Sequence, residues 1–157
     1  MGFFRKQKTF EIGSPLNGKT IPISRVPDQT FSTEILGKGV AIMPKDGNVY
    51  APMDATVDLI FDTAHAVNLI SKSGVELLIH IGIDTVKLKG DYFSAHVKNG
   101  DVVKKGDLLI SFEKDSIEKA GYSTLVPMVV CNAGEFERVT SFADKQVNVG
   151  DTILTLE

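Results

Sequence analysis

Short β-prone runs separated by glycine-containing turns constrain the fold of this chain more than any other feature. The turn dipeptides are Asn17-Gly18, Asp46-Gly47, Asn99-Gly100, Lys105-Gly106 and Val149-Gly150. The runs are residues 19–23, 39–43, 55–60, 66–70, 75–81, 108–112, 125–131 and 152–156. This spacing is typical of an all-β sandwich or barrel and does not fit alternating β and α units. The sequence therefore predicts an all-β fold.

Only two stretches have helical character. One is a short turn over residues 84–88, in which Asp84 is a candidate N-cap, or else a residue that holds the turn or tunes a site at His80. The other covers residues 115–120, with Asp115 as the expected N-cap and Gly121 as the stop signal. We therefore expect short helical turns rather than long helices.

Two turn-then-strand units repeat within the chain. Residues 103–113 align with residues 147–157, and each carries a Gly-Asp pair, Gly106-Asp107 and Gly150-Asp151. A glycine can adopt positive φ, and the following aspartate can close the turn by accepting a backbone N–H. Metal ligation by these aspartates is the alternative, but the structural role is far commoner at turns.

Length and charge narrow the class of protein. With 157 residues, 43% of them hydrophobic, we expect one globular domain over residues 14–157, preceded by a flexible segment over residues 1–13. A net charge of −3 without a basic stripe argues against nucleic acid as a partner. No apolar run is long enough to span a bilayer, so we expect a cytoplasmic protein. The single Cys131 is predicted to be a buried, inert thiol.

Two histidines stand in runs that otherwise consist of apolar residues. His65 and His80 lie fifteen residues apart, and a turn at Ser71-Lys72-Ser73-Gly74 brings them close to cross-strand register. A lone histidine in such a strand is more often a hydrogen-bonded core residue. When two histidines face each other, a shared functional site is about as plausible as two separate core residues. We interpret the third, His96, as an ordinary surface residue.

A neutral imidazole is a nucleophile that can carry a phosphoryl group through a labile P–N bond. Such a carrier needs an accessible Nε2, an Nδ1–H bonded to a carbonyl, and donors for the phosphoryl oxygens. His65 and Thr63, which we place on one strand face, are candidate donors. Gly82 removes bulk where a partner would approach. No metal or cofactor is expected.

Transfer between two proteins also requires a docking surface around the reactive nitrogen. The candidates for an apolar rim are apolar side chains that could form an exposed patch, although each alone fits a core position better. They are Phe31, Ile35, Leu36, Val40, Phe61, Leu78 and Val86, together with the acidic Asp84.

From about Pro15 to its C-terminus, the chain resembles enzyme IIA of the glucose class, a component of the bacterial phosphoenolpyruvate-dependent sugar phosphotransferase system. The strongest motif is Ser73-Gly74-Val75-Glu76-Leu77-Leu78-Ile79-His80-Ile81-Gly82-Ile83-Asp84, which continues to Gly90. Further matches are residues 39–42 with Pro44, residues 49–53, 61–66 and 123–130, and the closing Val147-Asn148-Val149-Gly150-Asp151. The chain departs from some members in having Leu78, Ile81 and Ala64 at positions around the histidines.

This resemblance implies a flattened antiparallel β-sandwich with both histidines in a shallow apolar depression. It implies that His80 accepts phosphate on Nε2 from the phosphocarrier protein HPr. His65 and Thr63 would stabilise the phosphoryl group during transfer to a cysteine of a sugar-specific enzyme IIB domain. Contact with the membrane would be peripheral, through the permease, and in some bacteria the family has regulatory targets.

Two other classes remain open from the residues themselves. His65 and His80 could bind zinc in a hydrolase or regulatory module, although Gly82 stands where a His-x-His element would need its second histidine. The Gly-Asp turns are also similar to those of biotinyl and lipoyl carriers. Those carriers need a lysine at a hairpin tip, and residues 52–55 contain none.

Overall fold

The computed structural model describes residues 9–157, which form fourteen strands and two short α-helices. The strands are β1 (Phe10–Gly13), β2 (Gly18–Pro22), β3 (Lys38–Pro44), β4 (Asn48–Tyr50), β5 (Ala55–Ile60), β6 (Ala66–Ile70), β7 (Glu76–His80), β8 (Phe93–Ala95), β9 (Val102–Val103), β10 (Leu108–Phe112), β11 (Val126–Val130), β12 (Val139–Ser141), β13 (Gln146–Val147) and β14 (Thr152–Leu156). The helices are α1 (Gln29–Ser32) and α2 (Lys114–Lys119), and three 3₁₀ turns cover Ile23–Arg25, Thr85–Leu88 and Ala133–Glu135.

All strand pairs are antiparallel, and they form one large and two small sheets. The large sheet has the order β13-β2-β3-β11-β7-β6-β5-β9, and the small ones have the orders β1-β14-β12 and β4-β10-β8. The sequence-based prediction of an all-β fold with few helical residues is confirmed. None of the helices in residues 9–157 has the length and hydropathy required to cross a membrane.

The large sheet is apolar on both faces at its centre, and this positions the histidines. On β7, Leu77 and Ile79 point into the main core, whereas Leu78 belongs to a second apolar cluster on the opposite face. Alternation of side chains along the strand places His80 on the same face as Leu78. We call this the outer face. Phe31 of α1 also belongs to the second cluster, so the segment containing α1 covers part of the outer face beside His80.

The repeated Gly-Asp turns have the structural role that the sequence predicted. Asp107 accepts the backbone N–H of Lys104 at 2.8 Å, and Asp151 accepts that of Asn148 at 2.8 Å. The glycines before them, Gly106 and Gly150, have φ values of +96° and +91°. Each carboxylate therefore closes a turn that glycine makes possible.

Two local predictions about helices and strands are corrected, and a third, on Cys131, follows. Residues 10–13, which we assigned to the flexible N-terminal segment, form β1 and pair with β14, while residues 1–8 of that segment lie outside the described residues. Asp115 is not an N-cap, because α2 begins at Lys114 and Glu113 precedes it without a capping side-chain bond.

Cys131 is exposed rather than buried, because β11 ends one residue before it. Desolvation and then the Glu76 carboxylate raise the pKa of its thiol. A raised pKa lowers the thiolate fraction near neutral pH and hence the reactivity of the thiol.

Candidate functional site: a paired-histidine centre

His80 and His65 meet at one end of the β6–β7 hairpin. The register pairs His80 with Ala66, and the backbone N–H of Ile81 donates to the His65 carbonyl at 2.7 Å. His65 is thus one residue out of direct register with His80. Regular strand geometry would then send the two rings to opposite faces. The ring centroids are nevertheless 5.0 Å apart, with planes inclined at 79°.

A break in the strand before Ala66 explains how the two rings come together. Ala64 has a left-handed backbone with φ of +57°, and β6 begins only at Ala66. The chain therefore turns at Ala64 instead of alternating, and the His65 side chain reaches the outer face. The predicted proximity of the histidines is present, but a loop conformation produces it rather than cross-strand register.

The His80 ring is held by a backbone carbonyl. Its Nδ1 lies 2.8 Å from the Gly82 carbonyl oxygen. A carbonyl can only accept, so Nδ1 carries the proton, and in the neutral ring Nε2 has a free electron pair. The structure thus has the carbonyl contact that a nucleophilic Nε2 requires.

The His65 ring is held by a side chain. The hydroxyl of Thr63 is hydrogen-bonded to Nδ1 of His65. Thr63 lies in the loop before β6, so its predicted place on a strand face is wrong, although its predicted association with His65 is present. When the hydroxyl donates to Nδ1, the proton of the neutral ring resides on Nε2, which makes that nitrogen a donor.

The two Nε2 atoms are the remaining ring nitrogens of the pair. Within residues 9–157 neither has a hydrogen-bond partner, and the one fully enclosed side-chain polar atom without a partner is Asn68 Oδ1. The Nε2 atoms of His65 and His80 therefore reach solvent, although the His65 residue is only 4% exposed. Each Nε2 is thus accessible to a reacting group from solvent.

Burial keeps both rings neutral. Desolvation and then the neighbouring His80 lower the pKa of His65 to about 4. Desolvation also lowers the pKa of His80, opposed by the bond to Gly82 and by the carboxylates of Asp28 and Asp84. Near pH 7 the pair thus consists of two unprotonated imidazoles.

Two phenylalanines flank the histidine pair. The Phe31 ring centroid lies 5.2 Å from that of His80, and the Phe61 centroid lies 5.3 Å from that of His65. The four rings form a continuous row from Phe31 to Phe61. Their apolar surfaces pack against both imidazoles and limit their rotation.

The predicted apolar rim divides into exposed and buried residues. Ile35, Val86, Leu36 and Phe61 are 76%, 51%, 37% and 36% exposed and remain candidates for docking. Val40 is fully buried, which corrects its assignment to the rim. Phe31 and Leu78 are 3% and 8% exposed and support His80 from the second apolar cluster rather than extending the surface. Sequence could not separate these groups, because the covering of the outer face by residues 23–33 is a tertiary contact.

Gly82 differs from its predicted role, whereas Asp84 stands before the predicted helical turn and acts on His80 through its charge but does not cap the turn with its side chain. Gly82 is buried, and a Cβ there would lie 2.4 Å from Thr85 Cγ2 and 2.8 Å from the Ser123 carbonyl oxygen. The glycine is required by internal packing and by its φ of +79°, not by access for a partner. Asp84 precedes the 3₁₀ turn with φ of +59°, and its side chain makes no capping bond. Its carboxylate is exposed near His80.

Sequence reasoning did not single out Asp28, although a signal was present. Its carboxylate caps α1 by accepting the Thr30 N–H at 2.9 Å, and its charge acts on His80. An aspartate directly before a short polar-apolar segment is a recognisable N-cap. His96, by contrast, is exposed as predicted and is bonded through Nε2 to Ser111 at 2.8 Å, outside the histidine pair.

The zinc hypothesis is not supported. In the described part of the chain, no group of three or more His, Cys, Asp and Glu side chains is arranged to hold a metal ion. His65 and His80 are therefore two candidate ligands without a third, and each Nδ1 already has a protein partner.

Comparison with protein families gives one match that covers most of the chain. The family model described as phosphoenolpyruvate-dependent sugar phosphotransferase system, EIIA 1, matches residues 10–136. A beta-glucoside-specific EIIBCA component from Dickeya chrysanthemi is 45% identical over 143 residues. That alignment covers 91% of this chain but only 23% of the relative, so the chain spans about a quarter of that protein's length.

A relative of similar size and a solved structure agree with this match. A glucose-specific EIIA component from Oceanobacillus iheyensis is 40% identical over 147 residues, which cover 94% of this chain and 89% of that protein. The structure of glucose permease IIA from Mycoplasma capricolum superposes with a TM-score of 0.87 at 33% identity and full coverage of both chains.

Proposed function

This chain belongs to the EIIA 1 family of the phosphoenolpyruvate-dependent sugar phosphotransferase system, and we propose that His80 is its phosphoryl-accepting residue. The observation that carries the proposal is the bond from Nδ1 of His80 to the Gly82 carbonyl. It directs the free electron pair of the neutral ring to Nε2, and the His80 ring centroid lies 5.0 Å from that of His65.

We propose HPr as the donor. The Nε2 electron pair of His80 attacks phosphorus, the P–N bond of the donor's phosphohistidine breaks, and the electron pair of that bond returns to the donor imidazole. The resulting phosphoimidazolium of His80 keeps its Nδ1–H bond to Gly82. The depressed pKa values of both histidines favour this step, because neither ring must lose a proton first.

Onward transfer is proposed to a cysteine of an enzyme IIB domain. The thiolate attacks phosphorus, the Nε2–P bond breaks, and the imidazole of His80 regains its electron pair. His65, with Nδ1 bonded to the Thr63 hydroxyl, donates from Nε2 to the phosphoryl oxygens. The fused EIIBCA relative is consistent with an acceptor of this kind, and both exchanges would occur in the cytoplasm.

The docking surface is proposed to consist of the exposed apolar side chains around the pair. Ile35, Leu36, Phe61 and Val86 are all at least about one third exposed, and Asp84 adds a negative charge among them. An apolar patch with an acidic residue suits a partner with an apolar centre and a basic margin.

The test is phosphorylation from phosphoenolpyruvate with enzyme I and HPr, followed by intact mass measurement at alkaline pH. One acid-labile phosphate is expected per chain. His80→Ala should abolish it, whereas His65→Gln should still accept it. His96→Ala serves as the matched control, since it removes a histidine outside the pair. Retention of the label in His80→Ala would disprove the assignment.

A further inference from the structure

Two consecutive peptide planes after His80 are each hydrogen-bonded at both ends. The plane between Ile81 and Gly82 has its carbonyl bonded to the Thr85 hydroxyl and its N–H bonded to the Leu125 carbonyl at 2.9 Å. The next plane, between Gly82 and Ile83, has its carbonyl bonded to Nδ1 of His80. The N–H of that second plane donates to the Ser123 carbonyl at 3.1 Å.

The orientation of the first plane contributes to that of the second, which the Ile83 N–H bond to the Ser123 carbonyl also holds. A peptide unit is rigid, so the direction of the Gly82 carbonyl depends on the φ and ψ angles of Gly82. Glycine is the residue with the widest choice of these angles, and here φ is +79°. Because glycine can adopt many other φ and ψ angles, contacts with neighbouring residues must hold Gly82 in this conformation. Thr85 supplies one of them from a fully buried position, through its hydroxyl and through the Cγ2 that occupies the space beside Gly82.

We propose that Thr85 is a positioning residue that fixes the protonated nitrogen of His80. By bonding to the Ile81 carbonyl, its hydroxyl keeps the Gly82 carbonyl directed at Nδ1, and the carbonyl keeps the proton there. The Thr85 hydroxyl bonds to the Ile81 carbonyl and not to the His80 ring, so it acts through the backbone. The expected change in the phosphorylation rate rests on the proposed function. The expected change in the position of the His80 proton can be measured without any phosphoryl transfer.

The variant Thr85→Val keeps the shape of the side chain and removes the hydroxyl. We expect the Gly82 carbonyl to lose its fixed orientation, so that His80 populates the tautomer protonated at Nε2, which is not nucleophilic at that atom. Nitrogen-15 NMR of histidine-labelled, unphosphorylated protein measures this directly. We expect phosphorylation by HPr to slow about tenfold, the size of effect that the loss of one hydrogen bond produces. Thr85→Ser should restore both the spectrum and the rate, because it retains the hydroxyl.

A matched control separates positioning from general loosening. Thr20 in β2 is also fully buried, and its hydroxyl donates to the Phe142 carbonyl at 2.8 Å. Thr20→Val should lose stability without changing the His80 spectrum. Should Thr85→Val not fold, Thr85→Ala tests the same bond without its methyl group.

The proposal is overturned if the hydroxyl-free variants keep the wild-type His80 spectrum, or if Thr20→Val alters that spectrum equally. A wild-type protein that shows the Nδ1–H tautomer, responds to Thr85→Val and yet accepts no phosphate would refute the proposed function and leave this inference intact.

Discussion

The loop before β6, residues 61–65, holds its histidine through a side chain, whereas the loop after β7, residues 81–84, holds its histidine through a backbone carbonyl. The difference matters because a carbonyl only accepts, while a hydroxyl can donate or accept. His80 is therefore restricted to one tautomer. His65 can adopt either by rotation of the Thr63 hydroxyl. One ring is suited to a fixed nucleophile, and the other to a hydrogen-bonding partner that adapts to the phosphoryl group.

The largest expected effect is that of His65→Gln, which tests whether the two loops have different roles. His65→Gln should accept phosphate from HPr but pass it to enzyme IIB about 100- to 1,000-fold more slowly, since it loses a preorganised donor to the transferring group. Single-turnover transfer from the isolated phosphorylated protein measures the second step alone. His96→Gln, which removes a histidine outside the pair, should transfer at the wild-type rate. Equal slowing of both steps in His65→Gln would show that the loops do not divide the work.

The second prediction compares the left-handed residues of the two loops. Gly82→Ala should lower the free energy of unfolding by about 3 kcal/mol, because its Cβ meets both Thr85 and the Ser123 carbonyl and the backbone conformation disfavours a side chain. Ala64→Gly should change it by less than about 1 kcal/mol, because relief of the left-handed conformation is offset by backbone entropy. Urea unfolding measures both.

Gly74→Ala is the control for that comparison. Gly74 has φ of +90°, and no heavy atom lies within 4 Å of its virtual Cβ, so the variant carries the backbone cost without a steric clash. We expect a loss of about 1 kcal/mol. If Gly82→Ala is no worse than Gly74→Ala, the packing around the His80 loop is looser than the geometry indicates.

The strands were predictable from the sequence, but the way the histidine loops bring the rings together was not. Strand positions follow from local composition and turn residues, so β6 and β7 lie close to their predicted bounds. The left-handed Ala64 leaves no such signal, because alanine rarely adopts that conformation. Hence sequence reasoning placed Thr63 on a strand face. The sequence predicted a carbonyl contact to Nδ1 only as a requirement of the chemistry and did not identify Gly82 as the residue that supplies it.

The third prediction concerns pH. The pKa of His65 is lowered to about 4 from an unfolded value near 6.5, so the stability linked to its neutral form is complete above pH 6.5 and is lost as pH falls towards 4. Between pH 7 and pH 5 this loss amounts to about 2 kcal/mol. The lowered pKa of His80 acts in the same direction. Urea unfolding at both pH values should show a smaller loss of stability for His65→Gln than for wild type. An equal loss in both proteins would contradict the conclusion that the lowered pKa of His65 causes it.

The smallest effect isolates the side-chain contact that distinguishes the two loops. Thr63→Val removes the hydroxyl bonded to Nδ1 of His65, so the ring loses the group that places its proton on Nε2 when it donates. Onward transfer should fall about tenfold, less than for His65→Gln, because the ring remains and still populates the donating tautomer part of the time. Acceptance from HPr should be unchanged, and Thr63→Ser should restore transfer. The pattern is informative because Thr85→Val is expected to impair acceptance instead. If both threonine variants impaired the same step, the side-chain contact and the carbonyl contact would not serve different histidines.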